Sequence, residues 1–178
     1  MNVSMNLRTP FFLLFLVVVA FGCSDKKSEK IQEEDPYLKQ LTEKQIGDSN
    51  YYISIPNKYT IKENRGPDFS VYYFYSADTT AKATFSGGLY FGNHPSQFEV
   101  SSDSCKTAKI KSKILNKNVD WTSYNCKGKF SIQTIVKSGS GEGWNEYIHA
   151  FAGAASTADL KKVLTIFKTI KKKKQKVN

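Results

Sequence analysis

The feature that most constrains this chain is an unbroken apolar run near its start, Pro10 to Phe21, closed by Gly22, Cys23 and Ser24. A single basic residue, Arg8, precedes the run, and a charged segment follows it. A weakly basic start, a short apolar middle and small residues at the cut are the layout of an export signal. The rival reading is a membrane span. As a helix rising ~1.5 Å per residue the run covers about 18 Å, against a hydrocarbon core of about 30 Å, which is too short to span well. Removing the first 22 of the 178 residues leaves 156, one ordinary domain with room for its own core.

The end of the run carries a second signal. Ala20-Phe21-Gly22-Cys23 resembles the bacterial lipobox: an aliphatic residue, a small residue, Gly or Ala, then Cys. Gly22 and Cys23 fit it, whereas Ala20 and Phe21 depart from its strict form. The resemblance implies cleavage after Gly22, a diacylglycerol thioether on Cys23 and an acylated or free new amino terminus. The alternative is an ordinary signal peptide with Cys23 free or buried. Ser24, Asp25, Lys26, Lys27, Ser28 and Glu29 suit a wet tether at a bilayer surface better than a core. Two or more acyl chains, at about 0.8 kcal/mol per buried CH₂, anchor stably where one does not. Ser24, in place of Asp, is similar to lipoproteins sorted to an outer membrane. The expected location is therefore the bacterial cell envelope, lipid-anchored, at the outer membrane, with residues 23–36 as lipidated cysteine and linker.

With Cys23 assigned to lipid, Cys105 and Cys126 remain. An even remainder in an oxidising compartment reads as one disulfide, with two buried thiols as the alternative. The net charge of +10 is carried by the end of the chain: residues 161–178 hold eight lysines and no acid. From Cys23 to Leu160 there are 17 basic and 16 acidic residues, so the body is nearly neutral and the sum gives no nucleic-acid footprint. Lys171 to Lys174 and Lys176 read as a frayed, solvated end over 172–178. The alternative is contact with anionic lipid.

Along the mature chain, Asp35-Pro36 predicts a short helix start, with Tyr37, Leu38, Leu41 and Gln45 sharing a face and Gly47 ending it. Alternation of Tyr51, Ile53 and Ile55 predicts a strand, ended by Pro56-Asn57. Ile61 lies in a second extended piece, and 64–68 is a turn by composition. Phe69 to Ser76 is a strand aromatic on both faces, expected to be covered on both sides. Ala83 to Phe91 is a strand in which Gly87-Gly88 mark a bulge or a close approach. Ala108 to Leu115 reads as helix or irregular strand. Val119–Asn125, Phe130–Lys137 and Trp144–Phe151 predict a meander, turned at Lys127-Gly128 and over 138–143. The clearest helix is the last. Leu160, Val163, Leu164, Phe167 and Ile170 form one stripe behind a Ser156/Asp159 capping pattern.

These elements predict an α+β domain over 37–171: about six antiparallel strands layered with an N-terminal helix and a long C-terminal helix. The Tyr51-Tyr52-Ile53-Ser54-Ile55-Pro56 opening, the Gly66-to-Val71 turn into strand and the closing helix resemble the Mog1/PsbP-like fold. That resemblance implies an α/β/α sandwich and no particular chemistry.

No catalytic, metal or cofactor pattern accompanies this. His94 and His149 are the only histidines, and no His-x-x-x-His, Cys-x-x-Cys or Gly-x-Ser-x-Gly occurs. The run Gly139-Ser140-Gly141-Glu142-Gly143 has the wrong order for a nucleophile elbow and reads as a hairpin turn. The aromatics are numerous for one small domain, with packing as the first explanation and an exposed platform as the second. Tyr52 and Trp144 are the candidate platform residues. The expectation is a non-catalytic binding module presented to another envelope protein. The alternatives are a glycan or small-ligand binder using the aromatic sheet, and a hydrolase without a recognisable motif. A smooth polar surface would favour the first, a flat exposed aromatic face the second, and a pocket with a histidine beside an acid the third.

Overall fold

The computed structural model describes residues 35–80, 82–100, 104–138 and 146–174. Cys23 and Trp144 lie outside these, as does the 139–143 glycine run. The described residues form a mostly β domain with two antiparallel sheets and one α-helix. The small sheet holds β1 (Leu41–Gln45), β2 (Tyr51–Pro56) and β10 (Lys171–Lys172), in the order β1-β2-β10. The large sheet holds β3 (Tyr59–Arg65), β4 (Phe69–Ser76), β5 (Phe85–Gly92), β6 (Cys105–Ile114), β7 (Lys117–Cys126), β8 (Lys129–Lys137) and β9 (Tyr147–Ala154). Its order is β3-β4-β5-β9-β8-β7-β6. The chain thus builds one half as a meander, crosses to the far edge at β6, and meanders back until β9 pairs with β5.

This overturns the α/β/α sandwich. The expected N-terminal helix is a 3₁₀ helix, Pro36–Gln40, and the chain then becomes a strand. Asp35 does cap it, its Oδ1 accepting from Tyr37 N at 3.0 Å. Five residues are too few for α-helix nucleation to compete with a ready partner. β1 instead pairs along β2, from Leu41 opposite Pro56 to Gln45 opposite Tyr52. Tyr37 and Leu41 still reach the core from this path. The ambiguous 108–115 stretch resolves as strand β6, paired to β7 from Cys105–Cys126 to Ile114–Lys117. Its turn places Leu115 and Asn116 at positive φ, as the β7–β8 turn does Lys127 and Gly128. Two successive left-handed residues make the type I′ turn that suits the sheet's twist. Gly87-Gly88 form no bulge, because the register runs unbroken through both in β4–β5 and β5–β9.

The core lies between one face of the large sheet, the helix α1 (Thr157–Lys168) and the small sheet. The predicted stripe is buried: Leu160, Val163, Leu164 and Phe167, with Ile170 just past the helix end. Ser156 Oγ accepts from Asp159 N at 3.1 Å, which satisfies one of the free N–H groups of the first turn. Phe167 stacks on Trp121, with ring centroids 4.9 Å apart, and meets Phe74 edge-on at 5.7 Å. The first lysines after the helix are held in place. Lys173 N donates to Asn50 O at 2.9 Å, and the Lys171 and Lys173 ammonium groups both meet the Glu43 carboxylate. Those contacts hold the Glu43 carboxyl below its ordinary range.

Candidate binding face

Strand register sorts the side chains of the large sheet into two sets. Phe74, Leu89, Ile148, Ile132 and Trp121 face α1 and the core. Tyr73 and Tyr75 of β4, Gly88 and Tyr90 of β5, His149 and Phe151 of β9, Gln133 of β8 and Tyr124 of β7 face the other way. No described helix covers this outer face. The expectation that the Phe69–Ser76 strand is covered on both sides therefore fails. Among the described residues the exposed large hydrophobic side chains are Tyr73 at 40%, Tyr75 at 38% and Phe98 at 37%, and all three belong to this face.

Phe98 comes from the segment that crosses from β5 to β6, and a buried amide seats it there. Gln133 Oε1 accepts from Phe98 N at 3.1 Å, while its Nε2 donates to Phe98 O at 2.6 Å and to Tyr124 Oη at 3.1 Å. His149 Nε2 lies 3.0 Å from the same Oε1. An amide oxygen only accepts, so the imidazole proton sits on Nε2. Burial lowers the His149 pKa and keeps the ring neutral. All four hydrogen-bonding positions of the Gln133 side chain are filled, which is what makes a fully buried amide tolerable inside a sheet.

The rings then run in series across the strands. Phe98 lies 6.4 Å from Tyr124, 5.7 Å from His149 and 6.2 Å from Phe151, and Phe151 lies 6.0 Å from Tyr73. From β7 to β4 that is four strand spacings, roughly 19 Å. Gly88 is necessary to it: a Cβ there would stand 2.5 Å from Phe151 Cζ. The bare backbone lets the Phe151 ring lie across β5. Beside it, Tyr73, Tyr75, Ser86, Phe151 and Gly153 line a cleft of about 320 Å³. Flat rings around an open cleft, with Ser86 as a hydroxyl within it, can stack a planar or apolar ring face and hydrogen-bond its edge.

The residues singled out from sequence fall elsewhere. Tyr52 belongs to the small sheet, with the Lys173 ammonium 4.1 Å from its ring centroid, so it is not part of the aromatic face. Cys105 and Cys126 are bonded to one another directly across β6 and β7, with Cα atoms 4.2 Å apart. His94 is exposed, and its backbone N–H donates to Tyr90 Oη at 3.3 Å. The partner of His149 is an amide, not an acid. Among the described residues no group of three or more His, Cys, Asp or Glu side chains is placed to hold a metal ion. Phe98, Phe151 and Gln133 escaped sequence reading. The signal available for Phe151 was Gly87-Gly88, since paired glycines in a strand imply that something bulky lies over them. Comparison with family models, with curated proteins and with solved structures found no match to this chain.

Proposed function

We propose that this chain is a bacterial lipoprotein of the cell envelope, anchored through Cys23 at the outer membrane, and a non-catalytic binding module. Its ligand face is the outer surface of the seven-stranded sheet. One observation carries the reading: among the described residues the exposed large hydrophobic side chains, Tyr73, Tyr75 and Phe98, share a single face instead of scattering, and the two tyrosines line a cleft in it. Contiguous exposed aromatic surface marks interaction sites. The anchor rests on the Ala20-to-Cys23 sequence and on the charged tether behind it. A flat exposed aromatic face favours a ligand-binding module over one presented to another envelope protein, the reading that a smooth polar surface would favour.

The test is photocrosslinking in cells. A benzoylphenylalanine at position 75 should give a discrete adduct, and one at exposed Lys161 on the helix should not. Equal yields at both positions, or none at position 75, end the reading of this face. Membrane retention of a Cys23→Ala chain equal to wild type ends the reading of the anchor.

A further inference from the structure

The near neutrality of the body conceals a separation of charge. Residues 105–137, which form β6, β7 and β8, hold eight lysines against Asp120 alone. On the outer face the strands present Lys62 beside Tyr73 at one edge, and Lys109, Lys111 and Lys113 along β6 at the other. Lys129 and Lys137 project from the same face of β8, and Asp120 is the one carboxylate on its strands. The adjoining segments add Glu99 and Glu146, the latter 3.4 Å from Lys137 Nζ. Lys109 donates to Thr122 Oγ1 at 2.7 Å. Among the described residues, Lys62, Lys111, Lys113 and Lys129 have no carboxylate within ion-pair distance. Alternate residues of a strand are about 7 Å apart, so Lys109, Lys111 and Lys113 leave β6 as a regular row, with Asp120 opposite the middle one.

Resting on the reading of this face as the binding face, we infer that its ligand is an acidic polysaccharide of the uronic-acid type. Sugar rings lie on Tyr73, Phe151 and Phe98, and carboxylates meet the lysine rows. The ligand must supply ring faces and negative charge together, repeated along one chain, and a uronic acid carries both in each unit. Lipid headgroups would engage the lysines and leave the cleft and its rings unfilled. A single-stranded nucleic acid matches the same combination of stacking and charge, but the export proposed above for this chain argues against that ligand.

Calorimetric titration of the full chain in detergent tests this with four probes: hexagalacturonate, maltohexaose, a thymidine dodecamer and glycerophosphoglycerol, the soluble headgroup of phosphatidylglycerol. Hexagalacturonate should bind at least about tenfold more tightly than maltohexaose, and should weaken as salt rises from about 50 to about 200 mM. Replacing Lys109, Lys111 and Lys113 together by Gln should cost about tenfold or more and flatten the salt dependence. Tyr73→Ala should cost a similar factor with the salt dependence kept. These positions are exposed, so the variants should fold. An intact cooperative melt checks that, and the comparison of probes on the wild-type chain stands without them. Absence of hexagalacturonate binding, equal binding of maltohexaose, tighter binding of the dodecamer or the headgroup, or indifference to the lysine changes each overturns the inference. If position 75 still crosslinks in cells while hexagalacturonate fails, the ligand class is wrong and the binding face stands. If both fail, the face itself is wrong.

Discussion

Tyr72 and Phe74 on β4 are buried, at 6% and 2% exposure, whereas Tyr73 and Tyr75, one residue along in each case, are 40% and 38% exposed. The residue types are nearly the same and the backbone is one strand. What differs is the layer above each face. On the inner side α1 and the small sheet close over the rings, and Phe167 stacks on Trp121 and meets Phe74 edge-on. On the outer side, among the described residues, the β5–β6 crossing alone lies over the sheet, and it brings another ring, Phe98, in place of a covering layer. Aromatic content alone therefore does not distinguish a core from a platform. The face a ring projects from, and what lies over that face, decides it.

The sharpest way to break this comparison is to delete one ring from each face. Trp121 is fully buried, and Trp121→Ala should cost about 3–5 kcal/mol, the usual penalty for opening a cavity of that size. Tyr73→Ala should cost less than about 0.5 kcal/mol, as surface changes do. Urea unfolding of the two variants reads the difference. Similar losses would mean that the outer ring is packed, and the platform reading would go with it.

The disulfide comes next. It joins β6 to β7 at the end of the outer face, across 21 residues of sequence. Reduction should lower stability by about 2–3 kcal/mol through the freed chain entropy of the unfolded state. Mass spectrometry should show a gain of two hydrogens. An unchanged mass would leave Cys105 and Cys126 as separate thiols.

Legibility from sequence divides along the same lines. The inner face was readable because burial imposes period: the Leu160-to-Phe167 stripe, the Ser156 cap and the Tyr51-Ile53-Ile55 alternation all reappear in the fold. The cysteine pair was readable by parity. The predicted N-terminal helix failed because Leu41 and its neighbours serve a strand as well as a helix, and only the partner β2 decides between them. The outer face was mostly unreadable. Its rings come from β4, β9 and the crossing, which are distant in sequence, and pairing of β9 between β5 and β8 brings them together. Local pattern singles out Tyr52 as an exposed aromatic, yet it sits in the small sheet under Lys173, because exposure depends on the covering layer, which local pattern does not contain. The charge count holds as a sum, but a sum over the body hides lysines gathered on three adjacent strands.

A smaller effect sharpens the comparison from the polar side. Gln133→Leu removes an amide that is fully buried beneath the outer face and holds Phe98 by both its N–H and its carbonyl. His149 and Tyr124 lose their partner too. The cost should be about 1–3 kcal/mol, from buried groups left unsatisfied. Amide exchange should rise across 93–100 while α1 stays protected. Loosening of both together would mean that the two faces melt as one unit.

The smallest effect is set by pH. In the unfolded chain His149 titrates near its ordinary value of about 6.5, while burial lowers its pKa in the folded protein. Above about pH 6.5 the imidazole is neutral in both states and contributes no pH dependence. As pH falls below that value the unfolded chain takes up a proton that the folded one refuses, so stability falls. It does so by at most about 1.4 kcal/mol per pH unit, until the folded-state pKa is passed and the loss levels off. Asp35, Glu43, Glu63 and Asp159 have pKa values lowered by their hydrogen bonds and ion pairs, and they withdraw their stability only in the more acidic carboxylate range. Between about pH 7 and pH 5 the slope therefore belongs to histidine. His149→Gln keeps an N–H for Gln133 Oε1 and cannot take the charge. Thermal melts of wild type should lose stability on acidification through that window, and those of His149→Gln should not. A flat wild-type profile would mean that water already reaches the imidazole, and that the crossing segment does not pack over the sheet. In that case the aromatic series would be broken at Phe98, and the ligand face would shrink to the cleft between Tyr73, Tyr75 and Phe151.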